Sequence, residues 1–382
     1  LFFYKKLICE RHLSRLSGLE TMPTKKIEPT ILLDHGSGGL ASQELIRTLF
    51  LRHLDNSILA ALEDSAVMGN QPGRLAFTTD SYVVDPIFFP GGDIGALAIH
   101  GTINDLAMRG ARPIALSLGL ILEEGLPLAD LERIIISVKE ASKTSGVPVV
   151  TGDTKVVPRG KADKIFINTS GIGIVADGVE ISATRAKAGD KIILSGSMGD
   201  HGITIMTRRA GIALAGNLQS DTMALHTLVQ KLLAGLPAGS LHTLRDPTRG
   251  GVATSLCEIA ASSNTMIELH EHHIPLRAEV RAACEILGLD PLYLANEGKC
   301  LAVVAPEIAD QALALMQSCP EGREAAIIGT VSANSAPALP GSGSGDTVTS
   351  LSGASGRVVL KTSIGGTRVI TPLHGAPLPR IC

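Results

Sequence analysis

Five aspartates interrupt segments that otherwise have the character of buried structure, and any fold for this 382-residue chain must account for them. LEDSAVM (62–68) and LAFTTDSYVVDP (75–86) read as strands that carry Asp64 and Asp80 among apolar and β-branched neighbours. The segment 93–110, DIGALAIHGTINDLAMRG, reads as a helix with Ile94, Leu97, Ala98, Gly101 and Met108 on one stripe, and Asp105 falls on that stripe. Asp153 breaks the strand PVVTGDTKVV (148–157), and Asp246 heads RDPTRGGV (245–252), which opens a helix bearing Val252, Leu256 and Ile259. A buried, unpaired carboxylate is expensive, so a cation or a hydrogen-bond network has to compensate. Asp105 is therefore a ligand-facing group or a structural buried acid. For Asp246, an N-cap followed by Pro247 at the first helical position suffices, while two extra glycines would let a ligand approach the helix end.

The loops between these segments narrow the chemistry. ILLDHGSGG (31–39) is an apolar run ending in a glycine-rich turn before a helix-like stretch, SQELIRTLFLRHL. It can aim backbone N–H groups at an anion or serve as a plain turn and cap. No GxxxxGK[ST] loop occurs. KIFINTSGIGIVA (164–176) contains GxGxxA, but its glycines lie inside an alternating apolar strand with no helix after it, which excludes a Rossmann fingerprint. Residues 114–122 read as a buried strand, and 128–145 as an amphipathic helix with Leu131, Ile134, Ile135, Val138 and Ala141 on one face. A domain boundary falls near residue 180. Beyond it, AGDKIILSGSMGDHG (188–202) gives a strand and a turn into a helix with Asp200 as N-cap. LANEGKCLAVV (294–304) sets Glu297, a possible base, at the head of an apolar strand, and Lys155 suits a phosphate, a proton transfer or a surface salt bridge. His270, His272 and His273 are expected to point apart in a solvated loop.

Totals exclude several classes. A net charge of -3 with no basic stripe argues against a nucleic-acid partner. No apolar run reaches the length of a membrane span. Six cysteines without a CxxC pair read as reduced thiols in a cytoplasm. Residues 1–30 are set aside as an extension, in which 1–21 read as vector or gene-start sequence or as a short amphipathic helix, and 333–356, rich in Gly, Ser, Ala and Pro, read as a flexible insertion. The sequence closes on Pro379, Arg380, Ile381 and Cys382, either a frayed end or a nucleophile whose pKa the arginine would lower and a carboxylate raise.

Scattered carboxylates, glycine turns at 36–39 and 250–251 and no P-loop describe a metal–nucleotide site of non-Walker type, since Mg²⁺ prefers oxygen ligands and bridges phosphates. In their order, HGSGG, EDSAV, TTDSYVVDP, GTINDLAM, GDTKVV, GDHG, RDPTRGG, ANEGK and PRIC closely resemble the HypE family, the carbamoyl dehydratases of NiFe-hydrogenase maturation, within the aminoimidazole ribonucleotide synthetase-like ATP-binding superfamily. The resemblance spans about residues 31–382 apart from the 333–356 insertion. It implies an α/β (α+β) fold of two domains, 31–180 and 181–371, the first contributing strands to a β-barrel across a homodimer, followed by a mobile tail, 372–382.

By the same resemblance ATP would lie between the domains, with Asp64, Asp80 and Asp105 holding Mg²⁺ and Asp153 and Asp246 facing the nucleotide as further candidate metal ligands. The loop His35, Gly36, Ser37, Gly38, Gly39 would close over phosphates, and Asn104, Thr248 and Gly250 would contact the nucleotide. Lys155 and Glu297 would handle protons, and Cys382 would carry a carboxamide loaded by a HypF-type carbamoyl transferase. ATP-dependent dehydration would give a thiocyanate, whose cyanide passes to iron on HypC/HypD-type proteins. Two other readings stay open: a superfamily kinase or selenophosphate synthetase acting on a diffusible substrate, and a nucleotide-regulated scaffold.

Overall fold

The computed structural model describes residues 29–63, 65–213, 216–334, 356–373, 375 and 380–382. Asp64, nearly all of the 1–30 extension and the body of the 333–356 insertion lie outside the described residues.

The first domain runs β1 (Arg74–Tyr82), a β2 (Phe88–Phe89) and β3 (Gly92–Asp93) hairpin, α1 (Ile94–Ala107), β4 (Arg112–Glu123), α2 (Leu128–Ser145), β5 (Val149–Val157) and β6 (Ile165–Val175). Its sheet has the order β1-β6-β4-β5, and within the described strands of this sheet only β4 and β5 pair in parallel. α1 lies across β1, β6 and β4, with α2 packed beside it. The expected stripe of α2 is buried at Leu131, Ile134, Ile135, Val138 and Ala141, and each of the four larger side chains contributes about 2 kcal/mol. Residues 29–31, placed in the extension or at its border, are bonded into this domain through Ile31 N–H to Leu126 O and Leu128 N–H to Pro29 O.

Among the described residues nothing covers the opposite face of the sheet. Leu75 and Phe77 of β1 are 75% and 71% exposed, and Ile121 of β4 lies on the same face at 43%. Register fixes which acids share that face: Asp153 pairs with Gly119, Gly119 with Asn168, and Asn168 with Ser81. Because side chains alternate along a strand, Asp153 and Lys155 belong to the open face and Asp80 to the face that meets α1. The strand expected at 62–68 does not form among the described residues; Leu62 takes a left-handed φ of 52° and Val67 is exposed.

The second domain comprises β7 (Lys191–Leu194), α3 (Asp200–Ala210), α4 (His226–Gly235), β8 (Leu241–Arg245), α5 (Gly251–Ser263), β9 (Thr265–His270), α6 (Ala278–Leu287), β10 (Leu301–Val304), α7 (Ala309–Gln317), β11 (Ala326–Ala333), β12 (Arg357–Lys361) and β13 (Thr367–Ile370). These strands form one sheet in the order β13-β12-β9-β11-β7-β10-β8. The caps differ from expectation: Gly199 and Gly250, not Asp200 and Asp246, precede α3 and α5, which frees both carboxylates for other partners. The three histidines do not point apart. A 3₁₀ turn over Glu271–His273 folds them together, with the His272 and His273 ring centroids 4.1 Å apart. No helix among the described residues is long and apolar enough to cross a membrane.

Candidate functional site

The close approach of α1 to β1 depends on Gly101, where a Cβ would fall 2.3 Å from the Tyr82 hydroxyl. One turn further along, Asp105 accepts a hydrogen bond from Thr78 Oγ1 at 2.9 Å, next to Asp80 on β1. Arg249, at the head of α5, reaches across to Asp80 at 3.8 Å. Burial pushes the Asp105 carboxyl up and Asp80 adds to that, although Thr78 opposes it. Asp246 is pushed up to about 7, by burial first and then by Asp105 and Asp80. Three carboxylates from two domains thus face one another, and their mutual repulsion is what a bound cation would relieve.

Glu297 stands behind them. Its neighbour Gly298 is obligatory because a Cβ there would lie 1.8 Å from Asp221 O. That contact lets Asp221 accept from the N–H groups of Glu297 and Gly298 at 3.2 and 3.3 Å, and pair with Lys299 at 3.3 Å. Burial opposes ionisation of Asp221, but Lys299 and His201 hold its carboxyl below the usual range. Asn104 of α1 donates to the carbonyls of Met223 and Glu297 at 3.0 and 3.3 Å and accepts from Leu225 N–H at 2.8 Å. Asn296 joins the Gly199 N–H to the Pro247 carbonyl at 2.7 and 2.9 Å. Glu297 is 3% exposed, and its Oε1 has no hydrogen-bond partner among the described residues. Burial raises its pKa well above the usual carboxylate range, helped by Asp221, Asp246 and Asp80.

Facing Glu297 is the end of the chain. Ile381 and Cys382 are buried in the first domain's core cluster, and Cys382 O accepts from Val83 N–H at 3.1 Å. The Cys382 thiol is pushed upward by burial first and by Glu297 second, with Asp80 adding to the rise and Arg249 opposing it. In the described structure the tail end is docked, not free as its composition suggested.

Family comparisons follow this division into two units. The family described as AIR synthase related protein, N-terminal domain, matches residues 62–175, and its C-terminal domain counterpart matches 187–339. The carbamoyl dehydratase HypE of Azotobacter vinelandii is 50% identical over 348 residues, which cover 91% of this chain and 96% of that protein. The chain belongs to the HypE family of carbamoyl dehydratases. A solved HypE structure in complex with ATP superposes with a TM-score of 0.83 at 51% identity, covering 92% of this chain and 100% of the other. The corresponding chain of a HypE–HypF complex matches with a TM-score of 0.71 at 41% identity, covering 86% and 99%.

Within this member of the HypE family, the expected residues fall into two groups. Asp80, Asp105, Asp246, Glu297 and Cys382 converge at the domain interface. Thr248 and Gly250 lie in the turn that leads into α5, where the Thr248 carbonyl accepts from Gly251 N–H at 3.0 Å. The Asn104 side chain bonds the Met223 and Glu297 carbonyls and the Leu225 N–H across the interface. Asp153 and Lys155 belong elsewhere: they pair with each other at 3.0 Å, 70% and 65% exposed, on the open face of the sheet. Three strand spacings, about 14 Å, separate their row from Ser81. The His35–Gly39 loop is on their side. His35, Gly36 and Gly38 line a cavity of about 210 Å³ together with Asp153 and Lys155. The Gly38 and Gly39 N–H groups are taken up by Ser42 Oγ and Ser37 Oγ at 2.9 and 3.3 Å.

Sequence reading missed Asp221, Lys299, Arg249 and the contacts of His201. Asp221 lies in a stretch without periodicity, and the glycine of ANEGK, which only a close contact explains, was the available hint. No group of three or more His, Cys, Asp or Glu side chains among the described residues is arranged to hold a metal ion.

Proposed function

We propose that this chain converts a carboxamide carried on the Cys382 thiol into a thiocyanate with consumption of ATP, supplying cyanide for the iron of NiFe-hydrogenase. The observation that carries the reading is the buried Glu297 carboxyl, with an unpartnered oxygen, set against the buried end of the chain. Phosphoryl transfer from ATP to the carboxamide oxygen releases ADP and one N–H proton and leaves an O-phosphorylated imidate. Loss of the second N–H proton to a base then expels phosphate and forms the C≡N bond. Glu297 is the base in this reading: its raised affinity for a proton suits proton abstraction, and burial of Glu297 and Cys382 would shield the imidate from hydrolysis.

Among the described residues the carboxylates at 80, 105 and 246 are not gathered closely enough to hold a metal ion by themselves; their oxygen donors and charge suit a hard cation shared with ATP phosphates, since burial and mutual repulsion hold two of the three above their usual range. Magnesium bound there would neutralise charge on the transferring phosphoryl group. Asp64 belongs to the same proposed set. The HypE–HypF complex supports a HypF-type transferase as the source of the carboxamide; iron carriers of the HypC/HypD type are the proposed acceptors. The five described cysteines that are free suit a reducing compartment such as the cytoplasm. Incubation with ATP, the transferase and carbamoyl phosphate is expected to give the mass of a thiocyanate on the C-terminal peptide, and none in Cys382→Ala. ATP hydrolysis unchanged by Cys382→Ala, without thiocyanate in the parent, would instead mark a kinase for a diffusible substrate.

A homodimer accounts for the separated group. The uncovered face of the first sheet, with Leu75, Phe77 and Ile121 exposed, suits closure against a second copy as a barrel, and Lys155, Asp153 and the His35–Gly39 loop would then complete the partner's site. Phe77→Arg is expected to yield monomers by light scattering and to lose turnover. Mixing inactive Lys155→Ala with inactive Glu297→Gln is expected to restore about a quarter of the native activity, because half of the exchanged dimers would hold one intact site. No restoration after verified subunit exchange would place Lys155 and Glu297 in the same chain's site.

A further inference from the structure

The end of the chain is held by its backbone. Arg380 donates from Nε to Val83 O at 3.3 Å, and Asp85 N–H donates to Arg380 O at 3.3 Å. With the Val83 N–H to Cys382 O bond, residues 380–382 add a short strand-like segment beside 83–85. Arg380 adopts a left-handed φ of 54°, a conformation that persists only where surrounding contacts impose it. Ion pairs from its guanidinium to Asp163 at 3.0 Å and Asp85 at 3.7 Å are two of them.

The second domain supplies the rest. His201, from the GDHG turn and fully buried, bonds Ile381 O from Nε2 at 2.7 Å and Ser220 Oγ from Nδ1 at 2.8 Å. A carbonyl only accepts, so Nε2 carries the proton. Burial disfavours a second proton on the ring, so Nδ1 accepts, and Ser220 Oγ, which accepts from Thr222 N–H at 3.2 Å, donates to it. The direction of every bond in this relay is set. Arg209 of α3 donates from Nε to Asp85 O at 2.6 Å and from Nη2 to Arg380 O.

We propose that His201, backed by Ser220 and flanked by Arg209, is a positioning residue that grips the tail through its main-chain carbonyls and so presents the Cys382 side chain to Glu297. A grip on carbonyls does not depend on what the thiol carries, so free thiol, carboxamide and thiocyanate can occupy the same seat. This rests on the reading of Cys382 as the carrier. The side-chain identity of Ile381 contributes burial, while the alignment comes from the bonds to atoms that every residue possesses.

The first readout, thiol exposure, needs neither ATP nor turnover and so stands apart from the proposed reaction; the second, thiocyanate formation, tests the consequence for that reaction. Cys382 alkylation by iodoacetamide is followed by peptide mass spectrometry, with buried Cys300 and Cys284 as internal controls. His201→Ala is expected to speed Cys382 alkylation about tenfold, the effect of stranding one buried carbonyl, with Cys300 and Cys284 unchanged and ATP affinity retained. Thiocyanate formation from preloaded protein slows in parallel. His201→Gln, whose amide can still donate toward Ile381 O, stays near the parent. Unchanged Cys382 alkylation in His201→Ala overturns the proposal, as does equal acceleration at Cys300, which would mean general loosening. So does a His201→Gln variant as open as His201→Ala, or unslowed thiocyanate formation from an undocked tail. Should His201→Ala fail to fold, Ser220→Ala carries the test: faster Cys382 alkylation supports the grip, and an unchanged rate refutes it.

Discussion

Glu297→Gln is expected to slow thiocyanate formation from preloaded protein by about 10²–10⁴-fold, the usual worth of a general base, while ATP binding persists. The substitution is nearly isosteric, and the contacts that hold the segment run through backbone groups of Glu297 and Gly298 to Asp221 and Asn104, so they survive. What disappears is a single proton acceptor. Because burial, Asp221, Asp246 and Asp80 all raise its pKa, the basic form of Glu297 accumulates only as pH rises beyond the ordinary carboxylate range. The parent should therefore show a rate that climbs with pH along a limb displaced upward from that range, and Glu297→Gln should lose the limb. Rapid-quench intact-mass measurements across pH give both results. A variant with the parental rate would remove Glu297 from the proton transfer and leave Lys155 as the base.

How far such a site can be read from sequence depends on what kind of fact each residue's role is. The helix Leu128–Ser145 was legible to its ends because its period is local and its faces follow from spacing alone. Asp80 and Asp105 were legible as anomalies, acids in segments whose neighbours bury themselves. Asp153 looked equivalent, yet its face is decided by register across β5, β4 and β6, and a shift of one residue reverses it. Sequence patterns do not specify cross-strand register, so two separate groups of residues looked like one. The docking of Cys382 was hidden for another reason. Its anchors are carbonyls gripped by His201 and Arg209 from the other domain, and backbone groups leave no signature in composition. The roles of Asp246 and Asp200 were obscured in turn by a sufficient local explanation, the N-cap, which the structure gives to glycines instead.

Asp246→Asn should separate stability from function. Burial first, then Asp105 and Asp80, push the carboxyl up to about 7 from its ordinary value of 3.8. Its protonated form is thus the one the fold accommodates: the favourable contribution is complete below about pH 4 and is lost as pH rises through 7. Taken in full, that displacement corresponds to about 4 kcal/mol, and solvent contact at a half-buried group reduces it to about 2 kcal/mol. Asparagine mimics the protonated acid at every pH. Without nucleotide or divalent cation, Asp246→Asn should therefore be more stable than the parent at pH 8 by about 2 kcal/mol, with the difference vanishing toward pH 4. Adding Mg²⁺ and ATP should reverse the order, because mass action stabilises only the protein that binds them well. Paired denaturation curves at pH 4 and pH 8, with and without ligand, read all four states. A variant less stable than the parent at pH 8 in the absence of ligand would mean that Asp246 is satisfied from within the chain, and the carboxylates at 80, 105 and 246 would then not be a cation site held open by their own repulsion.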